Sequence, residues 1–273
     1  MPVPELNIRD FGMDTLSLAG TLPAKLSAIR DAGFSQVMLP ARDLMGFDAG
    51  LDAAVRVVKG SGLRVTGFQV LRDFEGLSGH LHDDKIDVAK TMLDMCAAVG
   101  GTLLLMCSST STHARDDPDA LARDLRKLAM LALPLGIKVA YEGLSRGRTI
   151  NEFTTAWDVV WRADAPNLDI GIDSFHAFAT ETSLADLDSL DPDKIFLVQL
   201  ADFMWQEVAA VGSAAERDSA APHPLSALLA IIGRTSQSEA GVRGFTRPPA
   251  FSSANMPHRV HKLETPCPRN VAC

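Results

Sequence analysis

No apolar stretch in this chain of 273 residues approaches the roughly 20 that a membrane-spanning helix needs. The opening residues, Met1-Pro2-Val3-Pro4-Glu5-Leu6, hold neither the basic stretch nor the apolar run of a secretory signal, so none is expected. Cysteine is scarce. The four are Cys96, Cys107, Cys267 and Cys273, and no two have C-x-x-C spacing. Cys96 and Cys107 fall in apolar surroundings, where a cysteine serves as a small buried hydrophobe. A reducing, cytoplasmic setting is expected. Positive charge is also in short supply: 26 Lys+Arg against 34 Asp+Glu, a net charge of −8. That argues against a nucleic-acid groove or an anionic membrane surface as partner. No Gly-x-Gly-x-x-Gly follows the first strand candidate, which weakens a dinucleotide-binding reading.

What is present is an α/β pattern. With 47% apolar and 22% charged residues, the composition is that of a globular protein. The length suits one α/β barrel or two smaller domains. Apolar runs read as strands at 13–18, 36–39, 64–69, 102–106, 137–143, 168–173 and 195–199. Amphipathic stretches between them read as helices at 22–32, 47–59, 83–99, 117–133 and 154–162, with a shorter piece at 183–190. The strands are continuous apolar runs, as expected when both faces of a parallel sheet are covered. The count favours an eightfold (β/α) barrel. After Trp205 the pattern fails, and the last 52 residues hold seven of the fifteen prolines. The expected organisation is a barrel domain over 1–233, its last unit degraded after about 205, and a Pro-rich, poorly ordered tail over 234–273.

Three of the runs end in an oxygen-bearing side chain: Glu142, Asp173 and Gln199. Their spacings of 31 and 26 residues are about one strand plus one helix each. In a parallel barrel such residues converge at the C-terminal strand ends, where active sites are built. Two carboxylates and an amide there point to a hard divalent cation. Each has a plainer alternative. Glu142 pairs equally well with Arg146 or Arg148. Asp173 suits the cap of a following helix. A buried Gln199 needs only a hydrogen-bond partner, without which it costs on the order of 1–3 kcal/mol. His176, three residues after Asp173, is either a core histidine or a general acid or base. Arg72 is either a fork for a substrate carboxylate or a partner of Asp73 or Glu75. Ser108, Ser109 and Ser111 read as a polar loop, and His80 and His82 as a solvated loop before a helix.

Four segments carry a resemblance: Phe68-Gln69-Val70-Leu71-Arg72-Asp73-Phe74-Glu75-Gly76, Glu142-Gly143-Leu144-Ser145-Arg146-Gly147, Gly171-Ile172-Asp173-Ser174-Phe175-His176 and Leu197-Val198-Gln199-Leu200-Ala201-Asp202. Together they resemble bacterial 3-dehydroshikimate dehydratases of the sugar phosphate isomerase/epimerase superfamily, with a xylose isomerase-like TIM barrel. The resemblance spans roughly residues 13 to 207. It implies a lyase of quinate/shikimate catabolism that converts 3-dehydroshikimate, a cyclic hydroxy-keto acid, to protocatechuate and water. It implies one divalent cation, Mg²⁺, Mn²⁺ or similar, on Glu142, Asp173 and Gln199. It implies His176 as the proton-transfer residue, with Arg72, Arg146 and Arg148 on the substrate. The family's fourth ligand sits in a Gly-Glu-Gly context; this sequence has none, and Glu239 is not assigned that role. A shortened or frame-altered reading of a longer gene would leave such a tail. Three alternatives stay open. One is a sugar or keto-acid isomerase or epimerase of the same superfamily. Another is a barrel impaired by lack of the fourth ligand. A third, an abasic-site endonuclease, predicts more histidine ligands and a basic groove, against seven histidines and a net charge of −8. A homo-oligomer is left open.

Overall fold

A computed structural model describes residues 7–201, together with Ser213 and Glu216. Among the described residues, seven parallel strands form one sheet in sequence order, each hydrogen-bonded to the next. They are β1 (Gly12–Asp14), β2 (Gln36–Pro40), β3 (Arg64–Arg72), β4 (Leu103–Cys107), β5 (Lys138–Glu142), β6 (Leu168–Asp173) and β7 (Ile195–Gln199). Between them run α1 (Leu22–Asp31), α2 (Ala41–Met45), α3 (Leu51–Gly60), α4 (His80–Ala98), α5 (Pro118–Ala132), α6 (Phe153–Ala163) and α7 (Ser174–Ala179). The expected eighth unit and the tail lie outside the described residues. No helix among the described residues is long and apolar enough to cross a membrane.

Strand alternation divides the core into two layers. Leu104, Met106, Val139, Tyr141, Ile170 and Ile172 pack outward with the helices. Met38, Leu103, Leu105, Cys107, Ala140, Leu144 and Leu197 form a separate inner cluster on the other face. Both faces are covered, which explains why all five residues of β2 and of β4 are buried. Each fully buried leucine contributes roughly 1.5–3 kcal/mol relative to exposure. Cys96 and Cys107 are both buried and free.

Several boundaries differ from the sequence reading, each for a local reason. The first strand stops at Asp14, whose side chain accepts the Leu16 N–H at 2.7 Å and turns the chain into a 3-10 segment, Thr15–Ser17. The helix expected at 47–59 starts later, as α3 at Leu51, and a separate short helix not expected from sequence, α2, precedes it. They are separated by Gly46 and by Gly50, whose φ of +84° is costly for residues with a Cβ. The fourth helix begins at His80, so His80 and His82 occupy its first turn instead of a loop. His82 is buried against Phe74, with Nδ1 3.3 Å from the Phe74 carbonyl and Nε2 3.7 Å from Asp124 Oδ1. The piece expected at 183–190 is a 3-10 helix, Leu184–Ser189, capped by Ser183. Helix α7 follows β6 directly because the Asp173 side chain caps it, the capping role that the sequence offers for that residue.

Candidate active site

Parallel register brings the strand exits level with one another. Arg72 stands opposite Cys107, and Cys107 opposite Glu142. Glu142 stands opposite Gly171, and Asp173, two residues on and on the same face, opposite Gln199. Thus Arg72, Glu142, Asp173 and Gln199 all rise at the C-terminal end of the sheet. His176 joins them because Asp173 Oδ1 accepts the Phe175 N–H at 2.7 Å and starts α7. One helical turn then carries His176 back over the strand end. The ligand-capable atoms of Glu142, Asp173 and His176 all lie within 4.8 Å of one another.

The β4 exit braces this cluster. The Cys107 thiol donates to Glu142 Oε1 at 3.3 Å. Burial pushes that thiol well up from its ordinary range, so it stays protonated and can donate. Ser108 N–H donates to the Glu142 carbonyl at 2.8 Å, and Ser108 Oγ accepts the Leu144 N–H at 2.9 Å. The loop leaving β5 presses closely on its surroundings. A Cβ on Gly147 would fall 2.1 Å from the Ile150 carbonyl oxygen, and one on Gly143 2.7 Å from that of Glu152. Both positions therefore require glycine. Ser108 and Ser109, read from sequence as a polar loop, are 1% and 5% exposed and fully engaged in this brace.

His176 Nδ1 receives the Ser145 backbone N–H at 3.3 Å and lies 2.9 Å from Ser145 Oγ. A main-chain N–H can only donate, so in the tautomer that uses this bond Nδ1 carries the lone pair and the proton sits on Nε2. Nε2 lies 3.7 Å from Glu142 Oε1. If the proton moves to Nδ1, Ser145 Oγ is placed to accept it, which exposes the Nε2 lone pair. Gln199 is buried, and its Nε2 faces the Met38 thioether at 3.8 Å, a group that can only accept.

The three arginines are placed differently. Arg72 is exposed at the β3 exit. The partners considered for it are engaged elsewhere. Asp73 accepts from Ser109 and Thr110. Glu75 accepts the Ser109 N–H at 2.6 Å and the Tyr141 hydroxyl at 3.0 Å. Arg146 is exposed on the loop after β5. Arg148 borders a small cavity beside Glu75, Ser109 and Arg115. Its N–H is held by the Ser109 carbonyl at 2.8 Å.

Two buried acids near this face escaped the sequence reading as functional candidates. Glu75 is 1% exposed, and burial pushes its pKa up to about 7. Asp14, hydrogen-bonded by the Gln69 side chain, is pushed up to about 6, again by burial. Glu75 and Tyr141 are 66 positions apart, so only the strand register could have paired them. Asp14 carried a weak signal, an acid at the exit of a short apolar run.

A parallel sheet with acids and a histidine gathered at its C-terminal edge defines a barrel-type enzyme scaffold with a cation-binding donor set. The chain belongs to the xylose isomerase-like TIM barrel family, which matches residues 26–222. It is 39% identical over 188 residues to the 3-dehydroshikimate dehydratase of Pseudomonas aeruginosa, covering 69% of this chain and 30% of that protein. It is 29% identical over 125 residues to the inosose isomerase of Bacillus licheniformis, covering 44% and 45% of the two chains. Among solved structures, a xylose isomerase-like TIM barrel/4-hydroxyphenylpyruvate dioxygenase fusion protein superposes with a TM-score of 0.67 at 35% identity, covering 70% of this chain and 31% of that one. The IOLI protein with its bound zinc atom shares the fold, with a TM-score of 0.63 at 20% identity and coverage of 70% and 72%. The match thus spans about a third of the length of the Pseudomonas dehydratases.

Proposed function

We propose that this chain is a metal-dependent dehydratase that converts 3-dehydroshikimate to protocatechuate and water. The observation that carries the reading is the convergence of Glu142, Asp173 and His176 within 4.8 Å at the strand exits of a barrel. The donor set fits a divalent cation, since two carboxylates and the Gln199 amide are hard oxygen donors suited to Mg²⁺ or Mn²⁺. Likeness to the dehydratases supports the choice of substrate.

Glu142, Asp173 and Gln199 would hold the cation, which would supply positive charge to steady the negative charge developing on the substrate ketone oxygen. In the tautomer with its proton on Nδ1, which Ser145 Oγ accepts, His176 carries its lone pair on Nε2 and there removes the proton from the carbon beside the ketone. The electron pair left behind expels the hydroxyl on the next carbon. That hydroxyl departs as water with the proton His176 has taken up, which balances the step. Loss of a further ring proton to the ketone oxygen then gives the aromatic diol. Arg72, level with Cys107 at the β3 exit, suits the substrate carboxylate, which a guanidinium binds in bidentate fashion. Arg146 takes a second contact from the β5 loop. Arg148, beside the Glu75 cavity, contributes through that loop's conformation.

The test is ultraviolet detection of protocatechuate from 3-dehydroshikimate, with Mg²⁺ or Mn²⁺ and after chelation. Formation that stops on chelation and returns with metal is expected; formation that survives complete metal removal overturns the proposal. The likeness to inosose isomerase favours a second reading, in which the abstracted proton returns to the substrate. Consumption of a chiral keto-polyol with no aromatic absorbance selects it.

A further inference from the structure

We infer that Cys107 is a positioning residue for the metal centre, holding the Glu142 carboxylate in the orientation the cation requires; this rests on the metal reading above. The hold has two points, both from the β4 exit. Cys107 stands opposite Glu142 in the parallel register, and its neighbour Ser108 fixes the Glu142 main chain through the 2.8 Å bond to the carbonyl. That sets the Cα. The Cys107 thiol then reaches Oε1 at 3.3 Å and sets the rotation of the carboxylate. Glu142 is 3% exposed, so water cannot take over that task.

The chemistry explains why this position is a cysteine. Cys107 belongs to the inner apolar cluster with Leu105, Ala140 and Leu144. A valine or alanine would pack there and offer no donor. A hydroxyl would donate, but its desolvation in this layer is more costly than that of a weakly polar thiol. The thiol satisfies the packing and supplies one hydrogen bond aimed at the ligand. Outer partners of this kind fix the geometry of first-contact ligands before the metal arrives.

The experiment titrates the purified full chain with Mn²⁺ and follows free Mn²⁺ by electron paramagnetic resonance. Cys107→Ala and Cys107→Val are compared with Cys107→Ser, and each variant's melt is recorded. Wild type should bind one Mn²⁺ per chain. Both donorless variants should bind about 10-fold more weakly, with the serine variant recovering most of the loss. Unchanged Mn²⁺ affinity in the alanine and valine variants overturns the inference while leaving the metal reading standing. Equal weakening in all three, the serine variant included, assigns the effect to packing and also overturns it. If the alanine variant lacks a cooperative melt, the valine and serine pair decides, because valine restores bulk without a donor. A wild-type chain that binds no Mn²⁺, Mg²⁺ or Zn²⁺ defeats the metal reading itself, an outcome recognisable before any variant is made.

Discussion

Asp169 and Asp173 stand on the same strand, four residues apart, and alternation turns both to the same face of β6. Their surroundings could hardly differ more. Asp169, at the entry end, is 3% exposed with Lys194 Nζ 3.6 Å away. Burial pushes its pKa up to about 7, against the pull of Lys194 and Lys138. Asp173, at the exit end, accepts the Phe175 N–H and shares its space with Glu142 and His176. One acid has lysine neighbours and is not part of the gathered donor set. The other is held at one oxygen by a helix start and gathered with a second acid. In a parallel barrel the entry ends serve stability and the exit ends serve chemistry. A single strand carries both conditions here.

The sharpest way to test that contrast is to neutralise each acid in turn. Asp173→Asn keeps an oxygen to cap α7 but removes the negative charge. On the proposed reading, Mn²⁺ binding and protocatechuate formation both fall to background. Asp169→Asn should leave both within about twofold, because entry-end positions touch no reacting group. Equal losses in the two variants would erase the functional distinction between the ends of β6. The next effect belongs to His176. His176→Gln should lower kcat by about 10²–10⁴, the usual worth of a general acid or base, while Mn²⁺ affinity stays near wild type. Affinity that collapses with kcat would make His176 a ligand and remove its assignment as the proton carrier.

Much of this arrangement was legible because parallel strands buried on both faces leave uninterrupted apolar runs. β2 and β4, buried at every position, were bounded to within one residue of the observed ends. Ligand candidates at run ends followed from the same logic. What escaped was non-local or depended on glycine. The start of α4 is set by Gly79, at a φ of +59°, which puts its first residue three positions before the start expected at 83. The break between α2 and α3 is likewise glycine-made. Ser108 and Ser109 looked like loop residues because their partners, Glu142, Leu144 and Glu75, lie 34 to 36 positions away. The Asp173 cap was considered as an alternative to ligation. The structure shows the cap, and it is the cap that brings His176 to the cluster.

The smallest expected effect concerns pH and stability at the entry end. The folded pKa of Asp169, about 7, lies above its ordinary value of 3.8. A group whose pKa is raised by folding binds its proton more tightly in the native state. Its stabilising contribution is therefore complete below about pH 4 and fades as pH rises through 7. Asp14 and Glu75, raised to about 6 and about 7, slope the same way, so the wild-type melting temperature should decline across this window. Asp169→Asn removes one ionisation from that slope. Its melting temperature should gain on wild type by about 2–4 °C between pH 5 and pH 8, the shift of one kcal/mol in a domain of this size. Calorimetry at several pH values measures it. A difference that does not change with pH would mean that Lys194 keeps Asp169 charged throughout. The entry end of β6 would then hold its acid charged by an ion pair and not neutral by burial.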